Sequence, residues 1–198
     1  LAAVKNVARF LTLVQSLIQR QEGLPGLGVF YGHSGLGKTY ASIYAQNMTN
    51  AMRLEVGDSW TRVKFLQNLL REAGLEPGKG TIADLTERAI NALADDWTRP
   101  LFIDEADKLA DKGMLELVRE IHEHSQVPVL LIGEELLPEK LEKVERVHNR
   151  VLDWIAAEPC DHDDARKLAD LVCSEVQVTD ELIDHLVDIT RGRARRIV

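Results

Sequence analysis

Little in this chain points to an oxidising or membrane setting. Its 198 residues include two cysteines, Cys160 and Cys173, too few for a disulfide framework, and the reduced thiols they imply fit the cytoplasm. No apolar run reaches the roughly 18 residues of a membrane span. The first charges, Lys5 and Arg9, sit inside an amphipathic pattern rather than ahead of an apolar block, so no signal peptide is expected. Aromatic residues are sparse, and Trp60, Trp97 and Trp154 are too dispersed for a base-stacking platform. There is no basic excess either. Against 32 Asp and Glu stand 24 Lys and Arg, a net charge of −8, which excludes a surface wholly given to nucleic acid. No internal repeat or low-complexity segment interrupts the chain. It runs from Leu1 to Val198, where it stops inside a helical pattern, as a piece of a longer protein is expected to do.

The charge that is present is uneven. Residues 1–100 carry 11 basic and 9 acidic side chains, whereas residues 101–198 carry 13 and 23. The last eight residues nevertheless hold Arg191, Arg193, Arg195 and Arg196 with no acid.

Two apolar periods alternate along the sequence. Val4, Val7, Ala8, Leu11, Val14 and Ile18 fall at helical spacing over residues 2–21. Gly23, Pro25, Gly26 and Gly28 break that pattern, and Leu27–Tyr31 reads as a short strand. Further helices are predicted from Lys38 to about Asn50, from a Ser59 N-cap to Gly74, from a Thr81 N-cap through Leu93, over 113–125 and over 135–148. Strand candidates lie between them at Ala51–Val56, Leu101–Ile103, Val127–Ile132 and Val151–Ala157. The near-continuous apolar run of Val127–Ile132 is that of a fully buried parallel strand. Beyond Pro159 only helices are predicted, near 161–175, near 179–190 and from 193. Strands alternating with helices predict an α/β fold, a three-layer parallel sheet over residues 1–157. The all-helical tail predicts a second, small unit over 158–198.

Gly32-His33-Ser34-Gly35-Leu36-Gly37-Lys38-Thr39 fits the pattern G-x-x-x-x-G-K-[ST] without a mismatch. An apolar strand enters it and a helix leaves it. Successive backbone N–H groups must turn inward around phosphate oxygens, and glycines permit the required dihedrals. The helix start adds the positive end of its dipole. Lys38 supplies a cation for the β- and γ-phosphates and Thr39 a hydroxyl for Mg²⁺. With Tyr40 next in line, residues 32–40 form the candidate nucleotide-binding segment, in which His33 reads as a spacer used through its backbone.

Leu101-Phe102-Ile103-Asp104-Glu105-Ala106-Asp107 is an apolar strand that delivers acids at its carboxyl end. In a Mg·nucleotide site, Asp104 would hold the metal through its water shell and Glu105 would polarise the attacking water. The order Asp104-Glu105-Ala106-Asp107 also spells a helicase signature. A helicase core needs two tandem domains, and this length holds one. Asp161, Asp163 and Asp164 beside Cys160 and His162 lack a second ligand pair for zinc and read more simply as an acidic helix cap.

Together these segments resemble the AAA+ ATPases, and within them the group of the phage Mu B transposition protein and related transposon target-selector and prophage ATPases. The resemblance is carried by residues 31–39, by Phe102-Ile103-Asp104-Glu105-Ala106-Asp107-Lys108-Leu109, by Val129-Leu130-Leu131-Ile132-Gly133 and by Gly192-Arg193-Ala194-Arg195-Arg196. It implies that the strand Val127–Ile132 lies between the phosphate-loop strand and the acidic strand. A polar sensor is implied after that strand, where Gly133-Glu134 stands. Glu134 is either that sensor or an acid in the first turn of the next helix. Arg150 is implied as an arginine that reaches a neighbouring subunit's nucleotide, with Arg146 as the alternative. Arg195, three residues after Gly192, is implied as a sensor acting in cis on the γ-phosphate from a helical lid. Arg193 and Arg196 are left to DNA or the surface.

The expected activity is Mg²⁺-dependent hydrolysis of ATP between subunits. By resemblance, the assembly is a hexamer or helical filament that binds double-stranded DNA non-specifically and delivers it to, or stimulates, a transposase. The alternative is a nucleotide-gated switch that hydrolyses ATP weakly and recruits a protein partner without touching DNA; Glu134 and the acidic second half favour it.

Overall fold

In the computed structural model, which describes residues 3–198, alternate residues of the central strands divide between two apolar layers. The strands are β1 (Leu27–Tyr31), β2 (Met52–Glu55), β3 (Leu101–Asp104), β4 (Val129–Gly133) and β5 (Val151–Ala156). Leu27, Val29, Leu101, Ile103, Val129 and Leu131 join one layer. Phe30, Phe102, Leu130 and Ile132 join the other, as the two-residue period of a strand requires. All four pairings are parallel, in the order β2-β3-β4-β1-β5. The expected α/β parallel sheet is therefore present, and β4 lies between β1 and β3.

The first layer packs beneath α3 (Arg62–Glu72), α4 (Ile82–Ala94) and α6 (Leu115–Ser125), which contribute Phe65, Leu69, Leu85, Leu93, Val118 and Ile121. The second is covered by α1 (Lys5–Ile18) and α2 (Lys38–Thr49). Phe10 of α1 meets Phe30 and Phe102 edge-to-face at 5.2 and 5.1 Å between ring centres, a favoured geometry for aromatic pairs. Close packing of α1 depends on Gly28, where a Cβ would stand 2.8 Å from Leu17 Cδ1. After β5 come α9 (His162–Val172), α10 (Asp180–Thr190) and the short α11 (Ala194–Ile197).

Several boundaries differ from the sequence reading. Ser59 is not an N-cap: residues 57–60 form a turn closed by the Trp60 N–H on the Gly57 carbonyl, and Thr61 caps α3 by accepting from the Lys64 N–H. Residues 135–148 form two helices, α7 (Leu137–Glu142) and α8 (Glu145–His148). Leu141 and Val147 are both buried, yet six residues on one helix would set them about 240° apart. The break at Val144 turns both inward. A short α5 (Asp107–Asp111) precedes α6, separated from it by Gly113 at φ +62°. Ala2, the predicted start of the first helix, lies outside the described residues. Thr81 caps α4 as expected, in a reciprocal capping box with Asp84. Asp161 caps α9 by accepting from the Asp164 N–H, so the acids there serve the helix start.

Candidate nucleotide-binding site

At the carboxyl edge of the sheet the chain leaves β1 through Gly32 and turns into α2. Gly35 and Gly37 hold φ of +88° and +83°, a region costly for residues with a Cβ. The turn they make opens onto a cavity of about 410 Å³. Ser34, Gly35, Leu36, Gly37, Lys38, Thr39 and Tyr40 form its loop side. Asp104 and Glu105 enter from the end of β3, Gly133 and Glu134 from the end of β4, and Arg195 from α11. Val4, Leu168, Leu171, Val172 and Val198 add an apolar wall. Anionic, cationic and apolar groups thus converge on one space, as ligand sites in open α/β sheets do at strand carboxyl ends.

The Lys38 ammonium donates to the carbonyls of Gly32 at 2.6 Å and His33 at 2.9 Å. Burial pushes it below the usual lysine value, while Glu134, Asp104, Glu135 and Asp107 pull the other way. Gly32 and His33, expected in the nucleotide-binding segment, meet Lys38 through their carbonyls and are not among the residues that line the cavity. The His33 ring is two-thirds exposed, with Nδ1 3.3 Å from Glu135. Tyr40, partly buried, packs with the apolar layer of α1 and α2.

Asp104 is 3% exposed, and both its oxygens are engaged. Oδ1 accepts from the Glu105 N–H at 3.0 Å, and Oδ2 accepts from Arg53 Nη2 at 2.6 Å. Arg53 was not singled out from the sequence. Glu105 itself sits at φ +58°, a conformation that costs a residue with a Cβ roughly 1–3 kcal/mol. Its carboxylate is 44% exposed, 3.4 Å from Lys108. Asp107 ties the ends of β3 and β4 together: its Oδ2 accepts from the Glu134 N–H at 2.7 Å. Glu134 precedes α7 by three residues, so it belongs to the cavity rim rather than to the first turn of a helix.

The chain after β5 also meets the loop. The Arg195 N–H donates to the Gly35 carbonyl, and the Cys160 N–H to the Gly192 carbonyl. Asn6, 3% exposed, joins three segments: its amide donates to the carbonyls of Leu36 and Glu158, and its oxygen accepts from the Glu158 N–H. No spacing pattern could have flagged it.

Arg150 is not brought to this cavity. It stands at the opposite end of the sheet, where its carbonyl accepts from the Leu27 N–H. Its Nε donates to Glu123 at 2.8 Å. Against the upward push of burial, Arg119 and Arg150 hold the Glu123 carboxyl below the usual range. Arg146 on α8 is exposed.

Thr39 and Asp104, the residues expected to hold Mg²⁺, both line the cavity and carry oxygens of the hard kind that cation takes; with both Asp104 oxygens engaged, the set fits a metal that Asp104 would hold through its water shell. A five-stranded parallel sheet in this order, with a G-x-x-x-x-G-K-T loop between β1 and α2 and an Asp-Glu pair ending β3, defines a P-loop nucleoside triphosphatase fold. Residues 21–141 match the AAA domain family, and the chain belongs to it.

Solved structures support the same fold. Orc1 of Aeropyrum pernix, solved in complex with DNA, superposes with a TM-score of 0.68 at 19% identity over 97% of this chain. A Walker-type ATPase of Pyrococcus abyssi gives 0.70 at 19% over 98%. Cdc6p of Pyrobaculum aerophilum gives 0.64 at 13% over 98%. The chain spans 56%, 65% and 58% of those proteins respectively. No curated protein sequence matches it. Among the described residues, no helix is long and apolar enough to cross a membrane.

Proposed function

We propose that this AAA domain binds ATP with Mg²⁺ in the cavity between the phosphate loop, the ends of β3 and β4 and α11, and hydrolyses it. The observation that carries the reading is the convergence of Lys38, Thr39, Asp104, Glu105 and Arg195 on one cavity of about 410 Å³. The loop amides and Lys38 hold the β- and γ-phosphates. Thr39 and Asp104 hold Mg²⁺, which when bound supplies charge neutralisation on the phosphate oxygens. Glu105 accepts a proton from the attacking water. Its exposed carboxylate sits at the cavity edge, where water reaches it. The apolar wall around Val4, Leu168 and Leu171 takes the base.

In this reading residues 158–198 are a lid over a core of residues 1–157. Arg195 senses the γ-phosphate in cis, and its main-chain bond to Gly35 transmits loss of that phosphate to the lid. Arg150 acts in trans. Its place at the far end of the sheet from its own cavity suits a residue that serves a neighbouring copy. Such an assembly, a hexamer or helical filament, carries double-stranded DNA and passes it to a transposase in the cytoplasm. The DNA complex of Orc1, a protein of like fold, lends support to the DNA part alone. With a net charge of −8, DNA contact is confined to local basic residues and weakens with salt.

A second reading is a slow, nucleotide-gated protein switch. Glu134 favours it: a carboxylate on the cavity rim repels the γ-phosphate, where a neutral sensor would attract it. ATP turnover with and without duplex DNA separates the two. DNA-stimulated turnover with ATP-dependent co-sedimentation supports the first reading; ATP binding without either supports the second.

A further inference from the structure

Asp104, the acid assigned to the metal, already has a cationic partner. Arg53 lies on β2, in the strand pair whose register sets Arg53 opposite Phe102 and Glu55 opposite Asp104. Its guanidinium reaches along the sheet edge to Asp104 Oδ2 at 2.6 Å, with side chains 13% and 4% exposed. The other end of the fork is fixed as well. Arg53 Nε donates to Ser42 Oγ at 3.0 Å, and the Ser42 hydroxyl donates to the Thr39 carbonyl at 2.8 Å. Glu72 accepts the Arg53 main-chain N–H at 3.1 Å and so secures β2 beneath the fork. One partly buried relay, from the Thr39 carbonyl through Ser42 and Arg53 to Asp104, thus joins the two residues of the metal half of the site.

A guanidinium this close offsets part of the charge that the buried Asp104 carboxylate presents to a third group, although the same Nη2 also stands 3.3 Å from the exposed Glu55 carboxylate and Asp104 still acts on Lys38. A bare divalent cation gains little by displacing water to reach it, and Arg53 repels that cation at short range in a poorly screened setting. Once a triphosphate is bound, its own oxygens supply the missing negative charge.

We propose that Arg53 is a positioning residue that partly neutralises Asp104 and holds it in register with Thr39, so that Mg²⁺ enters the site only with the nucleotide. The inference rests on the reading of Lys38, Thr39 and Asp104 as a nucleotide–metal site. Ser42 fixes the direction of the fork; the charge of Arg53 sets the order of binding.

The test uses Mn²⁺, whose free ion is counted directly by electron paramagnetic resonance, on the nucleotide-free chain, with binding of a fluorescent ATP analogue measured on the same samples. Wild type binds Mn²⁺ only weakly. Arg53→Gln, which keeps a donor for Asp104 and removes the charge, binds it at least about tenfold more tightly. Arg53→Lys, which keeps the charge, stays near wild type, and the double variant R53Q/D104N returns to it. An unchanged Mn²⁺ affinity in R53Q, or a gain that survives in the double variant, overturns the inference. A second arm needs no substitution at Arg53: tight Mn²⁺ binding by nucleotide-free wild type that is lost in Asp104→Asn would show Asp104 to be an available ligand and also overturns it. Failure of wild type to bind the ATP analogue is a different result and overturns the nucleotide site itself.

Discussion

Arg195 and Gly35 are joined through their main chains, the N–H of one donating to the carbonyl of the other across 3.2 Å. The contact is independent of the side chain of Arg195, a residue that also lines the cavity. Arg195→Ala therefore keeps the packing of α11 on the loop and removes only the guanidinium. The expected result is an unfolding midpoint close to wild type with ATP turnover lowered at least about tenfold. A calorimetric scan beside a phosphate-release assay checks both halves.

Asn6 offers the converse case, a residue of structural importance that is not among those lining the cavity. Its truncation to alanine leaves the Leu36 carbonyl and both backbone groups of Glu158 without their partner. Buried groups left unpaired cost roughly 1–3 kcal/mol. Urea unfolding of Asn6→Ala should show a loss of about 2 kcal/mol, with weaker nucleotide binding because the Leu36 turn loosens. Unchanged stability would show that water replaces the amide.

The phosphate loop, the acidic strand end and the alternation of strands and helices were legible because each is local. Glycines at fixed offsets, an apolar run ending in acids and a two-residue period all lie within a few positions of one another. Arg53 and Asn6 were not, and the reason is physical. Met52-Arg53-Leu54-Glu55 reads as an ordinary edge strand with polar residues alternating outward, and only the strand order β2-β3 places Arg53 beside Asp104. Asn6 sits within an amphipathic helix, and its partners lie 30 and 152 residues away. The broken helix at Val144 was hidden for the same reason. Val144 closes a turn by donating to the Leu141 carbonyl, and the core demands of Leu141 and Val147 override a continuous helical pattern.

The two thiols differ in a way that reports on the chain after β5. Cys173 is exposed and Cys160 buried. Burial, with Asp164 and Asp161 nearby, pushes the Cys160 thiol up to about 11. The thiolate is the reactive form, so below that value Cys160 stays protonated and inert. At pH 8 iodoacetamide should modify one cysteine per folded chain, Cys173, and two after unfolding in urea, as counted by mass spectrometry. Rapid modification of Cys160 in the folded chain would mean that the Cys160–Gly192 contact opens readily.

Arg150 and Glu105 test the shared site. Each substitution, Arg150→Ala or Glu105→Gln, should abolish turnover alone while leaving ATP binding intact. Mixing the two should restore part of it, because a copy lacking Arg150 still holds Glu105 and can receive the partner copy's arginine. Turnover that stays at zero in every mixture would remove the trans role of Arg150 and leave its pairing with Glu123 as a surface contact.

Every role proposed above requires the loop of residues 32–39 to close on a triphosphate. A crystal structure with a non-hydrolysable ATP analogue and Mg²⁺ tests it most directly. Phosphates should lie within the loop, with the Lys38 ammonium moved from the Gly32 and His33 carbonyls onto a phosphate oxygen. A saturated crystal in which Lys38 still bonds those carbonyls, with the analogue absent or bound elsewhere, would contradict it.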